Sequence, residues 1–414
     1  MRMTQQRVMI TVYDLALLIA LALICARVFG YIFTKLKLPS VIGEILAGVF
    51  LGGISLTIFN GQMISLFGFS WSVPELSYLS VEFDFLAEIG ILILMFISGL
   101  STSLNQLKSM GKTSTFVAIG GVLVPLGLGV STSLLFGFSQ QESLIVGLML
   151  VATSVGVTVR TLMDLHKLDT NVGAAILGGA VIDDVLGIVL LAFVVGSDPF
   201  LYVGFKIALF FILFVYLGLK VIDRILGLGE YIHLPKAFLS ISLSLFLLFS
   251  FFADRFGISG IIGAFIAGLL IGQSIKSRKI VDDVQTLGYG FFVPLFFIWI
   301  GAKLIIGIVD DFASFSSIAV FAFIIILVAI VGKIIGCGIG ARLSGSSLKE
   351  SLQIGVGMIP RMELALIIIS TAISKKLIVG VAANQLLAIS VLITICTTLI
   401  TPLLINATFR ESKS

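Results

Sequence analysis

The chain of 414 residues is 58% hydrophobic and only 12% charged, with a mean hydropathy of +1.20, whereas soluble domains average about 25% charged residues. With no long polar segment and a net charge of only +4, this excludes a soluble enzyme carrying an anchor. It implies one polytopic, all-α membrane domain over residues 1–414, with the lipid bilayer as solvent and no nucleic-acid partner.

Apolar segments of spanning length fall near 9–34, 39–56, 84–101, 113–137, 142–164, 172–196, 200–222, 235–254, 258–275, 287–309, 314–343, 348–373 and 382–407, about thirteen helices in all. Arg2 and Arg7 ahead of the first resemble the start of a signal peptide. That apolar stretch is too long for one and lacks a small-x-small cleavage site, so it reads as a helix. Forty-three glycines suit close helix packing and broken helices. Cys25, Cys337 and Cys396 lie in apolar runs without ligand spacing, and the two histidines, His166 and His233, lie near loops. No cofactor and no histidine-based metal site is expected.

Lys and Arg concentrate in alternate loops: Lys35 and Lys37, Lys108 and Lys112, Lys167, Arg224 and Lys236, Lys276 to Lys279, Arg342 and Lys349, and Arg410 with Lys413. The intervening loops hold Glu75, Glu82, Asp84, Glu142, Asp198, Asp310 and Asp311. The positive-inside rule then places the C-terminus in the cytoplasm and, for an odd number of spans, the N-terminus outside a plasma (inner) membrane. Arg2, Arg7, Lys375 and Lys376 run against this assignment and are outnumbered.

The chain repeats itself. Residues 38–52 align without gaps on 258–272, with Ile42, Gly43, Ala47, Gly48 and Gly52 finding identical partners 220 positions on. The copies belong to the second and ninth helices, which run in opposite directions. That is the inverted-repeat plan of secondary transporters, here 9–196 and 235–407 joined by a linker helix at 200–222. Interruptions fall at matching places. Val151-Ala-Thr-Ser-Val-Gly-Val-Thr158 is rich in hydroxyls, and Gly355-Val-Gly-Met-Ile-Pro-Arg-Met-Glu363 carries two helix breakers, Gly357 and Pro360. The hydroxyls of Thr153 and Ser154 suit either helix packing or a site, and two matched interruptions favour discontinuous helices that meet at one.

Ionisable residues at membrane depth mark function, and here they are Asp183, Asp184, Lys333, Arg361 and Glu363. One Asp at a helix centre costs about 2.5–3.5 kcal/mol on insertion scales. Neighbouring residues point about 100° apart on a helix, so Asp183 and Asp184 cannot serve the same purpose. A cation needs deprotonated oxygens, so protons and a monovalent cation compete for one place, and alternating access to that place is antiport. Arg361 and Glu363 read as partners that hold the broken helix or bond across to the other half. Lys303 and Arg160 read as snorkelling side chains, and Glu44 and Glu88 as candidates to line an entry path. A solute symporter does not need an Asp-Asp pair with an intramembrane Lys. An aspartyl protease needs its acids on separate helices, and a channel or sensor remains an alternative.

Together, Val151–Thr158, Ala180-Val-Ile-Asp-Asp-Val-Leu-Gly-Ile188, Gly332-Lys333-Ile-Ile-Gly336 and Gly355–Glu363 resemble the cation/proton antiporter superfamily, nearest its electrogenic, two-aspartate sodium/proton branch. The resemblance covers nearly the whole chain. It implies a homodimer in which a mobile part moves like an elevator, exchanging Na⁺ or Li⁺ for H⁺, with K⁺ or mixed monovalent exchange left open. Carried over by position, Asp184 matches the acid that binds cation or proton, Asp183 the acid paired with a lysine, and Lys333 that lysine. Thr153 and Ser154 lie in one broken helix, while Arg361 and Glu363 match a structural pair of the other. Ser101 after Gly99-Leu100 and Met362 beside Arg361 depart from the family pattern. No Gly-x-Gly-x-x-Gly tail occurs before Ser414, which counts against a nucleotide-gated potassium-efflux relative.

Overall fold

The computed structural model describes residues 12–36, 38–57, 63–66, 69–72, 78, 80–195, 200–231, 234–275, 277, 280–303, 319–361, 365, 368–369, 372–373 and 375–409. Among the described residues the regular structure is helical apart from one antiparallel pair of strands, β1 (Met63–Leu66) and β2 (Phe69–Ser72), in register Met63 with Ser72. The helices are α1 (Val12–Lys35), α2 (Ser40–Thr57), α3 (Val81–Leu100), α4 (Leu104–Ser109), α5 (Gly111–Leu135), α6 (Gln140–Val151), α7 (Val155–Asp164) and α8 (Asn171–Val195). Next come α9 (Phe200–Phe210), α10 (Gly218–Tyr231), α11 (Ala237–Arg255) and α12 (Gly260–Gly272). The last are α13 (Val281–Lys303), α14 (Ala319–Leu343), α15 (Leu348–Gly357) and α16 (Val381–Phe409).

Among the described residues, nine helices are long and apolar enough to cross a membrane, with α6 and α7 together making one. A tenth is the pair α9 and α10, which a π-helical stretch at Phe211–Leu217 joins and which bends by 47°. Residues Ser40–Ser55 and Gly260–Gly272 form shorter apolar helices. The remaining expected segment, 348–373, begins with α15, and its later half lies only partly within the described residues. The tenth expected span begins earlier than its apolar run suggests, because Asp282 and Asp283 start α13 as first-turn acids, where a helix N-terminus favours negative charge.

The chain divides into two compact units, residues 1–91 with 289–310, and residues 92–288 with 311–414. In the first, Leu18, Ala22 and Ala26 of α1 form a stripe at helical spacing that is buried with Ala47, Leu51, Tyr78, Phe83, Leu295, Ile298 and Ala302. Helices α2 and α13 approach closely here. A Cβ on Gly48 would lie 2.2 Å from the Ile298 carbonyl oxygen, and one on Gly301 would lie 2.0 Å from that of Ile45. The second unit makes the same contact with other helices: a Cβ on Gly268 of α12 would lie 2.2 Å from the Phe96 oxygen, and one on Gly99 of α3 would lie 2.2 Å from that of Phe265.

The second unit holds the rest. Helix α5 packs along both α14 and α8. A cluster of Ile145, Met149, Phe321, Ile325, Ile369, Ile389 and Ile393 fills the space between α6, α14 and α16. Helices α6 and α15 start alike. Ser139 and Glu142 form a capping box at α6, as do Ser347 and Glu350 at α15, each satisfying two otherwise orphaned amides. The preceding turns also match, through Gly137 and Gly345 at positive φ (85° and 108°), where an L side chain would be strained.

Candidate functional site

The site grows from two breaks in backbone hydrogen bonding. Helix α6 stops at Val151, and Ala152 to Ser154 leave the helical region, Ser154 with φ −113° and ψ 119°. Helix α15 stops at Gly357, just before Pro360, whose ring disfavours helix at the preceding residue. Each break frees backbone groups that a bilayer cannot hydrate, and the two breaks satisfy each other. The Ser154 amide, which in a helix would reach Leu150, donates instead to the Pro360 carbonyl at 2.7 Å. The Leu150 carbonyl accepts from the Arg361 guanidinium, from Nε at 3.2 Å and Nη2 at 2.7 Å. The Gly357 carbonyl, which would have accepted from the Arg361 amide, takes the Thr158 hydroxyl at 2.7 Å. The Arg361 amide in turn donates to Thr397 Oγ1 of α16 at 3.1 Å.

Arg361 is fully buried. Its fork also reaches the Ile359 carbonyl at 2.8 Å, so one cation stitches both breaks together. Its charge stands at the C-terminal end of α6, where the helix dipole is negative. Arg361 thus bonds across to the α6 break, through Leu150, and within its own, through Ile359. Glu363 lies outside the described residues.

Beside this crossing stands an ion pair. Lys333 Nζ of α14 donates to Asp183 Oδ2 at 2.9 Å and Oδ1 at 3.1 Å, and neither side chain has any exposed surface. The pair fits because Gly121 of α5 lies opposite: a Cβ there would be 3.3 Å from Lys333 Nζ and 2.6 Å from Cys337 Sγ. Arg361 lies within electrostatic reach of Asp183, and Ile176, two turns before Asp183, packs on Gly357. The breaks and the ion pair therefore share one region of the second unit. Asp184, one residue on, is half-buried where Asp183 is fully buried. The 100° step thus separates an acid locked to a lysine from one facing elsewhere.

Thr153 and Ser154, in the first break, are 5% and 3% exposed, and their hydroxyl oxygens bond to nothing among the described residues. Such groups cost about 1–3 kcal/mol each when buried unsatisfied, and they are suitable oxygen donors for a small cation. No set of three His, Cys, Asp or Glu with metal-site geometry occurs among the described residues.

The other singled-out residues lie apart from this cluster. Arg160 does not snorkel; it is buried and pairs with Asp164 at 3.2 Å, one helical turn on. In the first unit, Lys303 lies 4.3 Å over the Trp299 ring, whose indole N–H donates to Asp84. There Glu44 is buried and Glu88 exposed. A cavity of about 230 Å³ opens at the ends of α5, α8 and α15, lined by Thr113, Asn171, Ser344 and Glu350, and none of the proposed site residues lines it. Sequence reasoning missed Gly121, the Leu150 carbonyl and Thr397, and only Thr397, a hydroxyl in an oily helix, left a visible signal.

A family model described as sodium/hydrogen exchanger, transmembrane, matches residues 19–411. The probable Na⁺/H⁺ antiporter GerT of Bacillus cereus is 37% identical over 361 residues, covering 86% of this chain and 90% of the relative. The Na⁺/H⁺ antiporter of Enterococcus hirae is 34% identical over 397 residues, covering 94% and 96%. The Na⁺/H⁺-K⁺ antiporter GerN of Bacillus cereus is 33% identical over 397 residues, covering 94% and 95%. The solved structure of the sodium/proton antiporter MjNhaP1 from Methanocaldococcus jannaschii superposes with a TM-score of 0.66 over 95% of this chain and 97% of that one, at 17% identity, and so shares the fold. The chain is a multi-pass membrane transporter belonging to the sodium/hydrogen exchanger family.

Proposed function

We propose that the protein exchanges Na⁺ or Li⁺ for H⁺ electrogenically by alternating access, with Asp184 as the acid that takes up cation and proton in turn. The observation that carries this is the contrast within one dipeptide. Asp183 is neutralised by Lys333 with no exposed surface, and Asp184 beside it is only half-buried. The hydroxyls of Thr153 and Ser154, buried without a partner among the described residues, add to the oxygen set. Arg361 keeps the two breaks in contact. Five N–H groups serve a guanidinium, and the three bonded to Leu150 and Ile359 leave two for Glu363, its proposed structural partner. No cofactor takes part; the ions are cargo.

The chain functions as a homodimer in the plasma (inner) membrane, with the N-terminus outside and the C-terminus cytoplasmic, and consists of two inverted repeats, 9–196 and 235–407, around a linker at 200–222. Matching caps at Ser139 and Ser347 support the repeat. So do two contacts spaced alike: a Cβ on Gly43 would lie 2.5 Å from the Phe29 oxygen, and one on Gly263 would lie 2.4 Å from that of Phe249, both partners lying 220 positions on. A second reading, K⁺/H⁺ or mixed exchange, is favoured by GerN, whose name includes K⁺. Cation-driven proton movement in proteoliposomes with Na⁺, Li⁺ and K⁺ separates the two. Saturable Na⁺ or Li⁺ signals that respond to an imposed membrane potential are expected. Exchange with K⁺ alone would replace the substrate, and no exchange with any cation would refute antiport.

A further inference from the structure

Helix α16 carries a stripe of buried hydroxyls in an otherwise oily span. Ser390, Thr394, Thr397, Thr398 and Thr401 fall within about 100° of one another on a helical wheel, and all are at most 6% exposed. The helix packs against α7 and α15, the two helices next to the breaks. A Thr in a helix ordinarily returns its hydroxyl to the carbonyl one turn back, and three members of the stripe bond to their own helix in this way. Ser390 donates to the Leu387 oxygen at 2.6 Å, Thr397 to that of Ile393 at 2.7 Å, and Thr401 to that of Thr397 at 2.6 Å. Thr394 and Thr398 do not. Their Oγ1 atoms are buried and bond to nothing among the described residues. The same local partner is open to them, so their hydroxyls are turned to something else.

Their neighbours indicate what that is. Between them in sequence, Thr397 Oγ1 accepts the Arg361 amide, and Arg361 comes directly after Pro360, whose carbonyl accepts the Ser154 amide. The two hydroxyls share α16 with Thr397, the residue that touches the crossing, and lie about 60° and 100° from it on the helical wheel; the crossing also contains the unbonded hydroxyls of Thr153 and Ser154. We propose that Thr394 and Thr398 hold ordered water against the crossing and act as positioning residues for the cation site, through water rather than by touching the ion. Buried water typically makes about three hydrogen bonds to polar groups that lack other partners. Two hydroxyls at i and i+4 on one helix face give it two such anchors. A cation that loses its bulk hydration in the site then keeps part of a solvation shell that the protein holds in place.

This rests on the antiport reading, and the test separates the two. Thr394→Val and Thr398→Val keep shape and remove the hydroxyl, Thr394→Ser and Thr398→Ser keep it, and Thr401→Val removes a hydroxyl that bonds only to its own helix. The Val variants are expected to raise the Na⁺ KM of exchange about three- to tenfold with little change in maximal rate. The Ser variants should restore the wild-type value and Thr401→Val should leave it unchanged. Equal KM for the Val variants and wild type overturns the proposal while leaving antiport intact. A density map that resolves ordered water decides the matter without transport. Water within hydrogen-bonding distance of both Oγ1 atoms is expected. Dry hydroxyls returned to the Ser390 and Thr394 carbonyls would overturn the proposal even if exchange itself failed.

Discussion

Breaking the Asp183–Lys333 pair one partner at a time has a cost set by its burial. Two charged hydrogen bonds of 2.9 and 3.1 Å join groups with no exposed surface. Asp183→Asn leaves a buried ammonium without its counter-ion, and Lys333→Met leaves a buried carboxylate. Removing one member of such a pair costs about 3–5 kcal/mol, most of it the desolvation of the charge left behind rather than the value of the pair. That is roughly two to four orders of magnitude in the unfolding equilibrium. Removing both charges together, in Asp183→Asn with Lys333→Met, removes that uncompensated charge. The double variant should be more stable than the sum of the single losses by about 2–3 kcal/mol. The assay is reversible unfolding of purified protein in bicelles titrated with SDS, monitored by circular dichroism for all four proteins. Losses that add within about 0.5 kcal/mol would show the two groups uncoupled and refute the placement of the pair in a dry interior.

Other substitutions test the surroundings. Gly121→Ala places a methyl group 2.6 Å from Cys337 Sγ and 3.3 Å from Lys333 Nζ; a loss of about 1–3 kcal/mol is expected, and Cys337→Ala in the same chain should recover much of it in thermal unfolding. Arg361→Lys keeps the charge and loses the fork that spans the Leu150 and Ile359 carbonyls; unfolding in detergent should show a drop of about 1.5–3 kcal/mol, and an unchanged midpoint would remove Arg361 as the stitch. Ser139→Ala and Ser347→Ala each delete a capping box at about 1 kcal/mol. Hydrogen exchange should quicken at the first turns of α6 and α15 respectively, and each effect should stay on its own helix.

The features legible in the sequence are local or chemically expensive. Gly357 and Pro360 announce a break because they alter the backbone itself. Ser139-x-x-Glu142 and Ser347-x-x-Glu350 announce helix starts because the cap lies within four residues. Asp183, Asp184 and Lys333 stand out because charge at membrane depth is costly. The partner that each freed backbone group finds is not legible in this way. Leu150 and Arg361 are 211 positions apart, and no periodicity predicts that a carbonyl of one break accepts the cation of the other. Gly121 carries no side chain to notice, and its importance comes from what stands opposite. Arg160 was legible in principle: Asp164 stands one helical turn away, and that spacing favours an ion pair over the snorkelling expected of it. The paired strands β1 and β2 lie between apolar spans, where hydropathy reports only a loop.

The central claim is that Asp184, and not its lysine-bound neighbour, is where cation and proton compete. The direct test is cation-induced proton release from purified protein in lightly buffered detergent, with Na⁺ or Li⁺ added to wild type, Asp184→Asn and Asp183→Asn with Lys333→Met. Wild type should release protons saturably, Asp184→Asn should release none, and the double variant, in which Asp184 is intact, should still release them. Release that survives Asp184→Asn would place the competing acid elsewhere and contradict the account.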